Sequence, residues 1–172
     1  DLLLSEGDEY SPLTGKELVA RKVKLLVSMA AGFPKGREFN VYCDTPASQV
    51  VFGQWPTEIV CSGFEIGEKI LTGKKVTQMN VEGSPVKEAY SLCLAEGDFN
   101  GRMSWDQTAV LVAIKGYEPF YTVERGTVRI INDEGANDWV PDEKGKHLRL
   151  IEKVPVQEMA TLIENYMMHQ PQ

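Results

Sequence analysis

Two stretches decide the fold: VKLLVSMAAGFPKGREFNVYCDTPASQVVFGQW, Val23–Trp55, and TEIVCSGFEIG, Thr57–Gly67. Val23–Ala30 is an almost unbroken apolar run. Such a run marks a strand covered on both faces, and therefore a parallel sheet. In AGFPKGREFN, Gly32, Pro34 and Gly36 forbid regular structure, so this stretch is expected to be a loop. Asp44 or Thr45 then caps a helix with Pro46 in its first turn, running to about Gln54. Trp55-Pro56 ends it. Thr57–Gly67 reads as a second buried strand closing on Gly67. The order strand, loop, helix, strand is that of an α/β unit.

The rest of the chain fits around this unit. DLLLSEGDEYSPLTGKELVARK reads as a helix end, a turn at Ser11-Pro12 and a short helix from Thr14. Residues 70–83 form a loop region. Ser84-Pro85 starts a helix that places Val86, Ala89, Tyr90, Cys93 and Leu94 on one face. Ser104, with Gln107 three residues on, has the form of a capping box before the helix SWDQTAVLVAI. That helix is apolar almost all round and is expected to be buried. Residues 118–153 alternate as short antiparallel strands do. Val154-Pro155 opens a last helix whose inner face carries Val156, Met159, Ala160, Ile163 and Met167. The expected fold is α/β: a Rossmann-like, mostly parallel sheet flanked by helices, with a small antiparallel β element near residues 118–153. No repeat or low-complexity linker divides it, so residues 1–172 form one domain.

Composition narrows the function. The 172 residues can bury roughly 70% of their unfolded surface without disulfide staples. The net charge of −7 argues against binding nucleic acid through phosphates, and against an anionic membrane surface. No apolar run is long enough to span a bilayer. Cys43, Cys61 and Cys93 are an odd set in apolar contexts and read as small buried thiols. His147 and His169 lie far from each other and from any cysteine, so zinc is not expected.

A few polar residues stand out. Glu38 and Asn40 follow the first strand, and ligands of α/β sheets sit outside the carboxyl ends of the strands. Together they can accept hydrogen bonds and donate one, the mixture a polyol requires. Equally, they can satisfy loop backbone groups ahead of the helix, and spacing alone slightly favours that role. Asp106 lies in the first turn of a helix, where a carboxylate commonly offsets the dipole. It could also be one ligand of a hard cation, but calcium takes about six to eight oxygens, so others would have to converge on it. Trp105 would be a core residue at the helix start, or the stacking wall of a pocket at Asp106. The acidic run NDEGAND, Asn132–Asp138, lacks EF-hand spacing and reads as a hairpin turn. No phosphate loop, dinucleotide fingerprint or serine-nucleophile motif occurs.

In combination these segments resemble a known family. KLLVSMAAGFPKGREFNVYCDTPASQVVF, WPTEIVCSGFEIG, PVKEAY and GRMSWDQTAVL, in this order, look like the carboxyl-terminal half of the inosine–uridine-type nucleoside hydrolases. The resemblance runs from about Val23 to Gly116. VERGTVRI and GANDWV in the tail point more weakly to a bacterial branch. It implies a calcium-assisted N-glycosidase that cuts ribonucleosides to ribose and free base through an oxocarbenium-like transition state. By matching position, Asp106 would be the late calcium ligand, while Glu38 and Asn40 would grip ribose hydroxyls and Trp105 would line the substrate pocket. Three departures stand out. The family's amino-terminal DxDxxxDD cluster, which carries the general base, has no match before Val23. Trp105 stands where many relatives have a histidine. The loop AAGFPKGR lacks an asparagine that relatives use on the sugar. The resemblance therefore implies the carboxyl-terminal part of a larger domain, inactive alone, that forms homo-oligomers or pairs with an amino-terminal segment. The alternative is a non-catalytic binding module that keeps the fold. The expected compartment is the cytoplasm or periplasm, the former favoured.

Overall fold

The computed structural model describes residues 1–170. A 3-10 turn at Leu2–Leu4 precedes α1 (Gly15–Lys22), β1 (Leu25–Met29), β2 (Lys35–Arg37), α2 (Phe39–Cys43), α3 (Thr45–Gln54) and β3 (Glu58–Ser62). There follow α4 (Phe64–Gly67), β4 (Leu71–Thr72), α5 (Lys74–Thr77), α6 (Pro85–Glu96), β5 (Arg102–Met103) and α7 (Trp105–Lys115). The chain closes with β6 (Tyr121–Ile130), β7 (Ala136–Pro141), β8 (His147–Glu152) and α8 (Val156–Met167).

The fold is α/β, as expected. Six strands form one sheet in the order β1-β3-β8-β6-β7-β2, and β4 and β5 form a small antiparallel pair. Pairing is parallel between β1 and β3 and between β3 and β8, and antiparallel from β8 outward through β6 and β7 to β2. The antiparallel element at 118–153 is thus continuous with the parallel strands: β8 pairs with β3 on one side and β6 on the other. Alternation along β3 explains why its sequence is apolar throughout. Val60 joins a core with Leu111, Val112, Leu148 and Met159, while Ile59 and Cys61 join a second with Val41, Phe52, Val128 and Trp139. Both faces of that strand are covered, as parallel strands require.

The two edge strands are neighbours in sequence. β1 and β2 lie at opposite edges, yet only residues 30–34 join them. A flat six-stranded sheet spans about 24 Å across its strands, while that connection reaches about 21 Å fully extended. The sheet must therefore curl to bring its edges together. The connection crosses the end of β3, where Phe64 N–H donates to the Ala31 carbonyl at 3.0 Å.

Several local expectations are corrected. The loop AGFPKGREFN contains β2 and the start of α2, so a helix begins at Phe39 and Asp44 caps the next one through Ala47 N–H. Residues 64–67 turn into α4 instead of extending β3. α6 buries only Tyr90 of its expected inner face. Its neighbouring apolar positions stay open because little else in the fold reaches them. Ser104 caps nothing with its side chain, because its hydroxyl bonds Thr72 Oγ1 at 2.7 Å instead. α7 is buried on one side only, with Val110 and Ile114 facing out. Cys43 and Cys93 are exposed, the first at the end of the short α2 and the second on the open side of α6, and only Cys61 is a buried thiol. Burial pushes the Cys61 thiol up to about 12, which leaves it inert.

Candidate functional site

The carboxyl ends of β1 and β3 lie side by side, because the strands pair in register from Leu25–Glu58 to Met29–Ser62. The segments leaving them carry the candidate residues. Glu38 is the N-cap of α2 and is buried. Its Oε1 accepts from Asn40 N–H at 2.9 Å; its Oε2 accepts from Val41 N–H at 3.3 Å and from Ala31 N–H at 3.2 Å. A carboxylate offers about four lone-pair directions. Three are filled by backbone donors, which lock its position and leave one acceptor. The structural role that spacing favoured is therefore present.

Asn40 is exposed on the same corner. Its amide donates to the Met29 carbonyl at 3.1 Å, which ties α2 to the end of β1. Its Oδ1 accepts no bond among the described residues. Both side chains are thus anchored by backbone partners, and each keeps an oxygen able to accept a hydroxyl proton.

Ala31 links this corner to β3. It has φ 68°, the left-handed region, although it carries a Cβ and is fully buried. That conformation costs about 1 kcal/mol or more for an L-residue and persists only where the surroundings over-determine it. Here its N–H is held by Glu38 and its carbonyl by Phe64 N–H. Asn137 of β7 completes the clamp. It is buried, donates to the Gly32 carbonyl at 2.9 Å and accepts from Gly32 N–H at 3.1 Å. Sequence reading placed Asn137 in an acidic turn and missed this role. The turn itself is residues 131–135, closed by Asn132 Oδ1.

Trp105 stands at the end of β3 through a second set of contacts. Its Nε1–H donates to the Phe64 carbonyl at 2.9 Å, and the two rings lie 5.2 Å apart. Gly67 makes this possible: a Cβ there would fall 2.4 Å from Trp105 Cα. Trp105 is therefore a brace between α7 and α4. Asp106, next to it, is exposed on the outer side of α7 and forms no hydrogen bond or ion pair among the described residues. Behind it, Gln107 Nε2 donates to Tyr90 Oη at 2.6 Å, and Tyr90 Oη meets Thr72 Oγ1 at 3.3 Å. This network fixes the helix start and leaves Asp106 free.

The structure brings Glu38, Asn40 and Trp105 to the same strand ends, the last through Phe64. Asp106 begins a helix packed on β1, but no bond joins it to the other three. Its free carboxylate has the right chemistry for a hard cation, but one carboxylate supplies at most two of the oxygens calcium needs. Among the described residues no three His, Cys, Asp or Glu side chains converge as a metal-holding group.

Glu65, in the first turn of α4, is a candidate site residue that sequence reading overlooked. It is half-buried, and its Oε2 accepts from Phe33 N–H at 3.1 Å. Burial raises its carboxyl pKa, opposed by its own and the Phe33 backbone N–H and by the charges of Arg149 and Lys69. Gly63 gives it room, because a Cβ there would lie 2.6 Å from Glu65 Oε1 and 2.5 Å from the Phe33 ring. The only available signal was a carboxylate just past a buried strand. No helix among the described residues is long and apolar enough to cross a membrane. No family model matches this chain, and no curated protein matches it either.

Proposed function

We propose that this chain carries the sugar-binding and late cation-ligand part of a nucleoside hydrolase that cleaves the N-glycosidic bond of ribonucleosides. One observation carries the reading. Two adjacent side chains at the carboxyl end of a parallel strand, Glu38 and Asn40, are fixed by backbone bonds while each retains a free acceptor. Preorganised acceptors of this kind suit the hydroxyls of a sugar. In the proposed complex Glu38 orients one hydroxyl and Asn40 a second, and Trp105 holds the wall beside them. A calcium ion, completed by ligands from outside this chain, would polarise the sugar hydroxyls and a water molecule. Asp106 would be this chain's contribution to it.

Other parts of the molecule support a missing neighbour. Among the described residues β1 pairs on one side only, and Val27 and Met29 are half-exposed on an apolar strand. On the helix packed against it, Val110 is 55% and Ile114 71% exposed. An open apolar edge invites another strand. The general base and further carboxylates would come with an amino-terminal segment of the same protein, or with a second copy. The second reading, a binding module without catalysis, is favoured by the structural duty of Glu38, which caps α2 whether or not a ligand is present.

The test is release of reducing sugar from inosine and uridine by the full-length protein, with calcium added or chelated. Calcium-dependent turnover that Asp106→Asn abolishes supports the hydrolase. Saturable ribonucleoside binding without turnover selects the binding module. Neither binding nor turnover overturns both.

A further inference from the structure

At the amino ends of β3 and β8, opposite the strand ends that carry Glu38 and Asn40, the fold leaves a strand edge unpaired. β6 makes its last pair with β8 at Gly126 and His147, yet it runs on along β7 to Ile130. β8 begins there because the chain enters it through a tight turn. Gly145 N–H donates to the Asp142 carbonyl at 2.9 Å, and a Cβ on Gly145 would fall 2.2 Å from the Gly126 oxygen. Backbone groups alternate in direction along a strand. Ile131 N–H donates to the Ala136 carbonyl on the β7 side, while Val128 N–H points the opposite way, to His147 Nδ1 at 2.9 Å. The Val128 carbonyl and both backbone groups of Ile130 therefore lie on the same open side as the imidazole. None of the three has a partner among the described residues. His147 stands in for a neighbouring strand at one donor only.

This edge faces a cavity of about 660 Å³ whose opposite wall is α3, at Phe52 and Gly53. Val128, Ile130 and Phe52 belong to one apolar cluster, which gives the cavity an apolar base. Gly53 leaves the wall open, because a Cβ there would meet no atom within 4 Å. Lys144 and Lys146 line the same cavity, are exposed, and form no ion pair among the described residues. Arg129 is already bound to Asp138 at 2.6 Å, and Asp142 turns one oxygen to Lys144 N–H at 2.9 Å. In a chain of net charge −7, the free charge at this cavity is thus mainly positive. Unpaired backbone groups at a half-buried edge are costly, and an extended peptide supplies matching donors and acceptors at strand spacing.

We propose that β6 accepts a short, extended, acidic peptide segment of a partner protein along Val128–Ile130. Its N–H groups donate to the Val128 and Ile130 carbonyls, and one of its carbonyls accepts from Ile130 N–H. A side chain on its inner face rests on Phe52 beside Gly53, and its carboxylates meet Lys144 and Lys146. The site shares no residue with the sugar and cation positions, and it stands whether or not the chain hydrolyses nucleosides.

The test titrates a fluorescein-labelled hexapeptide of alternating valine and aspartate into the full-length protein. Anisotropy reads binding, and amide exchange at Ile130 reads backbone pairing in the same complex. Saturable binding with slowed exchange at Ile130 is expected. The valine–lysine counterpart, and the acidic hexapeptide methylated on every amide, are expected not to bind. Replacing both lysines, Lys144→Gln with Lys146→Gln, should weaken binding about 2- to 30-fold at low salt, the range of two exposed charge pairs. Gly53→Phe should fill the cavity and abolish binding. The open space at Gly53 lets that variant fold, checked by unchanged amide dispersion elsewhere. Absence of saturable binding, or binding that Gly53→Phe or amide methylation leaves unchanged, overturns the proposal. So does equal binding of the valine–lysine peptide. A concentration-dependent dimer that Gly53→Phe dissociates also overturns it, because the edge then belongs to a second copy.

Discussion

Glu38 and Asp106 are both carboxylates at the start of a helix, yet the fold treats them oppositely. Glu38 is 5% exposed and accepts three backbone N–H bonds. Asp106 is exposed, with no partner among the described residues. The first is part of the scaffold and offers a ligand only its remaining lone pair. The second contributes almost nothing to the scaffold and is available whole. A position in the first helical turn therefore does not settle the role of a carboxylate; what matters is which donors the tertiary structure brings to it.

The largest effect should come from the saturated group. Glu38→Ala leaves the N–H groups of Ala31, Asn40 and Val41 without their acceptor in a buried corner. Each such loss costs about 1–3 kcal/mol and the three are not additive, so about 3–5 kcal/mol is expected. Urea denaturation measures it. A loss below about 1 kcal/mol would break the contrast with Asp106.

Next is Asn137→Ala, which removes both hydrogen bonds to Gly32 from a buried site. About 2–3 kcal/mol is expected, with faster amide exchange in residues 31–36 than elsewhere. Equal protection of that loop in both proteins would show that Glu38 alone holds it.

His147 tests the same principle by pH. It is buried, and its Nδ1 accepts from Val128 N–H at 2.9 Å. Burial lowers its pKa, with the Lys146 charge acting in the same direction and a Phe52 backbone bond opposing. Below about pH 6.5 the unfolded chain takes up a proton that the folded chain refuses. This group's contribution is thus complete above that pH and declines as pH falls towards the lowered folded value. The slope is at most about 1.4 kcal/mol per pH unit. His147→Gln keeps an acceptor for Val128 and should flatten the stability profile in that window. An unchanged slope would assign it to other groups.

The smallest effect belongs to Asp106→Asn, which alters only the dipole interaction of an exposed carboxylate, about 0.3–1 kcal/mol. A thermal melt suffices to measure it. A loss as large as that of Glu38→Ala would mean that Asp106 is scaffold too, and would remove its candidacy as a ligand.

Local patterns carried much of this molecule. The apolar run at Val23–Ala30, the short helix from Thr14, the proline in the first turn of α3 and the alternation in residues 118–153 each became the kind of element they suggested. Each of those signals involves residues within a few positions of one another, so sequence order alone expresses it. Glu38 and Asn40 were legible as polar residues at a strand end for the same reason. Their actual bonds were not, because Ala31 and Met29 become neighbours only when the chain folds back over β3. Asn137 meets Gly32 across 105 positions, and Glu65 faces Phe33 across 32. Such pairings depend on a curled sheet whose strand order, β1-β3-β8-β6-β7-β2, is set by long-range packing. Sequence by itself determined the longer strands and helices, though not β2, α2, α4, β4 or α5, and where polar groups cluster along them. Tertiary structure alone decided which carboxylate is saturated, which is free, and where a strand edge stays unpaired, because hydrogen-bond partners and walls are properties of proximity in space.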